Sequence, residues 1–105
     1  MRVVFHPEFP KEIKAFESQY GEVSERLRLR FRAEIDEAIA QIKAQPGSAG
    51  HFLNTDSKIV KEVRRRNLVS FPFFILDGVH EDLLVFRSVI PSASDPLIWI
   101  RRLND

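Results

Sequence analysis

Arginine is concentrated where this chain reads most like β-strand. Arg64, Arg65 and Arg66 run consecutively inside the apolar stretch 59–69, and Arg87 sits inside a second one, 83–90. A guanidinium is a planar fork that can hold two phosphate oxygens at once, so residues of this kind suit anion binding. From Lys58 to Arg66 five basic residues stand against Glu62 alone, a local charge of +4. Successive strand side chains point to opposite faces, so at most two of the triplet share a face, most simply Arg64 and Arg66. Glu62 has the same parity and is the one nearby carboxylate that could act as a base beside them. The alternative is that these charges are the solvated edge of a sheet, where they block unwanted pairing.

Other chemistries are poorly provided for. The chain has no cysteine, which excludes disulfides and thiolate catalysis. His6, His51 and His80 have no metal-ligand spacing, and neither a phosphate-cradling glycine loop nor a nucleophile elbow occurs. No metal and no cofactor is therefore expected. His51 falls in a loop and His80 in a hairpin turn, and both are read as exposed without a role. The 105 residues suit one domain, 1–105, and 44% apolar residues can fill its core. A net charge of +1 does not announce a nucleic-acid or membrane binder. The first apolar run is too short for a signal peptide and no window reaches the ~18 apolar residues of a membrane span. A soluble protein of the cytoplasm is expected.

The elements that must position the arginines follow from periodicity. Arg2 to Phe5 reads as a strand, broken by His6-Pro7. Phe9, Ile13, Phe16 and Tyr20 recur at helical spacing, with Pro10 tolerable only in the first turn and Gly21 as the expected end. Ser24 is a plausible cap for a second helix whose stripe is Leu27, Phe31, Ile35, Ala38, Ile39 and Ile42, stopped by Pro46-Gly47. The segment 47–57 reads as a loop. Strands are expected at 59–69, 73–76 and 83–90, with Ser70-Phe71-Pro72 as one break and Asp77-Gly78 signalling a hairpin. The order β-α-α-β-β-β implies an α+β fold in which a helix hairpin packs on one face of a small antiparallel sheet, the first strand joining at an edge.

Four motifs in this order resemble the RelE/ParE superfamily of toxins from type II toxin–antitoxin modules, in its plasmid-stabilisation, ParE-like branch. Val4-Phe5-His6-Pro7-Glu8 resembles the branch's opening. Phe31-x-x-Glu34-Ile35-x-x-Ala38-Ile39-x-x-Ile42 with Pro46 resembles its second helix. Arg64-Arg65 before Phe71-Pro72-Phe73, and the closing Asp95-Pro96-x-x-Trp99, resemble its later strands and tail. The sequence departs from that pattern at Pro91, where many relatives carry histidine, at Ala93-Ser94, where many carry a basic pair, and at Gln19-Tyr20, where a double aromatic is usual.

The resemblance implies a toxin that binds a protein target, DNA gyrase being the known example, and that a cognate antitoxin neutralises in a hetero-oligomer. It implies as an alternative a ribosome-dependent endonuclease of messenger RNA, with Glu62, Arg64, Arg66 and Arg87 as candidate catalytic residues; a toxin-like binding module without toxicity is the third reading. Pro91 carries no proton and no tyrosine follows it, so little or no cleavage is expected. Arg64, Arg65, Arg66, Arg87 and Trp99 are the candidates for meeting the target, Trp99 alternatively being a buried anchor. Arg28, Arg32 and Lys61 are the candidates for meeting an acidic antitoxin segment that folds on binding, laid over the helix pair and a sheet edge.

Overall fold

A computed structural model describes residues 1–46, 51–53 and 62–95, with the backbone alone at 51–53 and 62. Strand β1 (Arg2–Phe5) leads into α1 (Glu8–Val23) and α2 (Glu25–Ala44). Strands β2 (His51–Leu53), β3 (Glu62–Asn67), β4 (Phe73–His80) and β5 (Leu83–Pro91) follow. The expected α+β fold is found: a helix hairpin on one face of a sheet, ordered β1-β5-β4-β3-β2. Strands β2 to β5 pair antiparallel, and β1 joins the β5 edge in parallel, which makes the sheet mixed. Parallel entry follows from the route: the two helices carry the chain from the end of β1 across the sheet face to its far edge. No described helix is long and apolar enough to cross a membrane.

The hairpin is tighter than its sequence suggests. Gly21 does not end α1, which continues to Val23. Ser24 alone links the helices: its N–H donates to the Tyr20 carbonyl (2.9 Å) and its hydroxyl accepts from the Leu27 N–H (3.4 Å). Gly21 serves close approach instead, since a Cβ there would lie 3.1 Å from Arg28 Cδ. Pro10 falls in the first turn of α1, where its missing N–H has no helical partner to lose. At the start of that helix the His6 Nδ1 accepts the Glu8 N–H at 3.1 Å.

The helical stripes bury Phe9, Ile13, Phe31, Ile35, Ala38 and Ile42 against Phe73, Ile75, Leu84, Phe86 and Val89 of the sheet. Each fully buried side chain of this size contributes roughly 1.5–3 kcal/mol. Phe71 and Phe73, from the Phe-Pro-Phe turn, insert between the helices: ring centroids lie 5.1 Å (Tyr20–Phe71), 5.4 Å (Phe31–Phe71) and 4.5 Å (Phe16–Phe73) apart. A smaller cluster, Val63, Phe74, Leu76 and Ile90, occupies the other face.

Three local expectations are corrected. His51 lies in a strand, because the segment expected to be loop contributes β2 beside β3. Asp77-Gly78 lies inside β4, opposite Arg64 and Val63, and the β4–β5 turn is Glu81-Asp82. His80 is the last residue of β4 rather than a turn residue. The turn residue Glu81 takes a left-handed φ of 56°, a conformation for which glycine is the usual signal. The part of the expected first closing strand at 59–61 lies outside the described residues.

Candidate functional site

Strand alternation divides the arginines between two faces. Arg66 stands across from Ile75 of the main core, on the helix side, and its guanidinium donates to the Gln41 side chain of α2. Arg64 shares that face and stands directly across β3–β4 from Asp77, which is 2% exposed; opposite charges in register are a favourable cross-strand pair. Arg65 points the other way. Its guanidinium carbon lies 3.9 Å from the Phe74 ring centroid and its Nε donates to Asn67 Oδ1 at 3.1 Å. Arg65 is therefore held flat over the smaller core by a cation–π contact.

Arg87 is where the sheet breaks its own rhythm. Leu76 pairs with Ser88 but Asp77 pairs with Phe86, so Arg87 is one extra residue in β5. Such a bulge sends two consecutive side chains, Arg87 and Ser88, toward one side. Phe86 belongs to the main core, which places them on the face of Arg65. Arg87 is 9% exposed, its Nε is buried without a hydrogen-bond partner, and burial lowers its pKa. The bulge is fastened from the helix layer. Glu12 of α1 accepts from the Ser88 hydroxyl at 2.8 and 2.9 Å and from the Val89 N–H at 3.1 Å, beyond the point where β1 stops covering β5.

The antitoxin candidates Arg28 and Arg32 lie on the α1–α2 seam. Arg28 bridges to Glu17 at 2.6 Å and to Glu25; Arg32 reaches Glu17 at 3.5 Å and Asp36 at 3.1 Å. The hydrogen bonds that Arg28 donates to Glu25 first and Glu17 second push its pKa further up, and the bond from Arg28 holds Glu25 below the usual carboxylate range. Glu17, Arg28 and Arg32, with Lys14 and Ser18, line a shallow depression between the helices. The opposite flank of α2 is acidic: Glu34 Oε1 accepts the N–H groups of Val69 and Ser70 at 2.7 and 3.0 Å, pinning the turn that carries Phe71. Lys61, Trp99 and the side chain of Glu62 lie outside the described residues.

Two positioning carboxylates, Glu12 and Glu34, were not singled out as working residues by sequence. Glu34 stands in the second-helix motif, so a signal existed; Glu12 looks like any helical surface acid. Pro91 ends β5 across from Phe73, and the Ser92 N–H donates to the Pro72 carbonyl.

No protein-family model matches the sequence, and no curated protein does. Among solved structures, a chain described as the chromosomal ParDE TA system from P. aeruginosa superposes with a TM-score of 0.70 at 17% identity, over 87% of this chain and 95% of that one; the shared fold is the one that the sequence motifs imply.

Proposed function

We propose that this protein is the toxin of a type II toxin–antitoxin module, ParE-like, acting by binding a protein target such as DNA gyrase and neutralised by a cognate antitoxin. The single observation that favours binding over cleavage is the dispersal of the cations. Arg64 and Arg66 occupy the helix side, Arg65 and Arg87 the other, and Arg66 is engaged by Gln41. Phosphodiester cleavage needs cations converging on one phosphate together with a base and an acid. Strand β5 ends in Pro91, which offers no proton. Arg65 above Phe74 suits a contact surface for an acidic or aromatic protein patch, with the largely buried Arg87 on the same face.

The depression around Glu17, Arg28 and Arg32 supports an antitoxin segment carrying acidic side chains, which would extend the alternating charges already there. The protein would act in the cytoplasm and in a hetero-oligomer with its antitoxin. The test is induced expression without the antitoxin, with a transcriptome-wide messenger cleavage map beside a gyrase-dependent DNA-damage readout. DNA damage without codon-positioned cuts supports the proposal. Cuts that vanish in Arg64→Ala or Arg87→Ala move the protein to the ribonuclease reading, and neither effect leaves a binding module without toxicity.

A further inference from the structure

Strand β1 ends the sheet, and its backbone is half used. The Arg2 N–H donates to the Asp82 carbonyl at 3.1 Å and the His6 N–H to the Phe86 carbonyl at 2.9 Å, in parallel register with β5. Even-numbered peptide groups therefore face β5. The N–H and C=O of Val3 and Phe5 face outward, where no further strand occurs among the described residues. The side chains along this edge are apolar and open: Met1 is 61% exposed, Val3 and Val4 38% each, Phe5 41%. Within β1 there is no proline and no bulge, and its one charge, Arg2, lies with Val4 on the face away from the helices.

We propose that this edge pairs with the same edge of a second copy of the chain, antiparallel, about a two-fold axis through Val4. The strand is its own complement in that register. Val3 meets Phe5 of the second copy and Phe5 meets its Val3, so all four outward groups on each strand exchange hydrogen bonds. Both of those residues lie on the helix side, where Phe5 stacks on Phe86 at 5.0 Å, so apolar meets apolar; Val4 meets Val4 on the other face and Met1 meets Pro7. A net charge of +1 puts little repulsion between copies. Four paired residues bury far less than a permanent dimer does, so the association is weak and rises with concentration. This interface is independent of the function proposed above.

The test is sedimentation equilibrium of the full chain alone, from about 1 μM to about 1 mM. A monomer–dimer equilibrium is expected. Val3→Pro removes one outward N–H and leaves every β1–β5 hydrogen bond, so it should weaken the dimer at least tenfold with an unchanged melting temperature. Val4→Lys sets two ammonium groups against each other on the axis and should do the same. Hydrogen exchange keeps the idea testable if Val3→Pro fails to fold: protection of the Val3 and Phe5 amides should grow with protein concentration. A monomer throughout the range, or a dimer indifferent to both substitutions, overturns the proposal. So does protection of these two amides that appears only when another protein is added, which would assign the edge to strand addition by a different partner.

Discussion

Removing the Glu12 carboxylate tests whether the β5 bulge is held from the helix layer. Glu12→Ala takes away the acceptor for the Ser88 hydroxyl at 2.8 and 2.9 Å and for the Val89 N–H at 3.1 Å. Hydrogen bonds to a charged group contribute about 1.5–3 kcal/mol each when kept from water. Glu12 is only half-buried, so the low end applies to both. Water can reach the Ser88 hydroxyl more easily than the backbone group. The expected loss is about 2–3 kcal/mol, which in a domain of this length lowers the melting temperature by roughly 10 °C. Glu12→Gln keeps one acceptor oxygen and should lose about 1 kcal/mol. Urea unfolding of the wild type, Glu12→Ala, Ser88→Ala and the double variant forms a cycle whose coupling should be at least about 1 kcal/mol. A Glu12→Ala variant within about 0.5 kcal/mol of wild type, the usual range for surface changes, would refute the reasoning. Additivity in the cycle would show that Glu12 and Ser88 meet without depending on each other.

Ile35 is 0% exposed, so Ile35→Asp buries an unpaired charge and should cost several kcal/mol, whereas Ile35→Val should cost about 0.5–1.5 in the same melt. Glu34→Ala frees the Val69 and Ser70 N–H groups to water and should cost about 1–2 kcal/mol, while Glu34→Gln keeps an acceptor and most of that stability; equal losses in denaturant titrations would contradict the pinning role. Gly21→Ala gains up to about 1 kcal/mol of helix propensity if the Arg28 side chain yields a few tenths of an ångström, and loss of the salt dependence of stability would reveal Arg28 displaced from Glu17. Toxicity on expression should disappear in Arg65→Ala without loss of the folded state by circular dichroism; retained toxicity removes Arg65 from the target surface.

The helices and strands were legible where one face is dry. The Leu27–Ile42 stripe predicts α2 because its 3.6-residue period is imposed by a single buried side, and β5 reads as strand because both of its faces are largely covered. Punctuation was less legible, since a glycine marks more than one physical need. Gly21 looks like a helix stop but answers to the neighbouring helix, and Gly78 looks like a turn but stands in a strand across from Val63. The turn that forms instead, Glu81-Asp82, carries no glycine. β2 is three residues long and has no period to detect.

The division of the arginines was legible only in part. Alternation places Arg64 and Arg66 on one face and Arg65 on the other, and that much needs no structure. Where Arg87 points depends on a count that the sequence does not display. β5 has one more residue than β4 between paired positions, and the extra residue is Arg87 itself. From Phe86 onward the bulge shifts parity, so Val89 returns to the main core while Arg87 and Ser88 both leave it. The same shift exposes the Val89 N–H beyond the end of β1, where Glu12 collects it. Three features thus meet at the bulge: an arginine on the face of Arg65, a serine bound to a helix carboxylate, and a sheet edge closed by a side chain rather than a strand. Deleting Arg87 should restore regular alternation, with Phe86 and Val89 still on the helix side and the Val89 N–H still open to Glu12, so that hydrogen bond should outlast the bulge while the arginine on the face of Arg65 is lost.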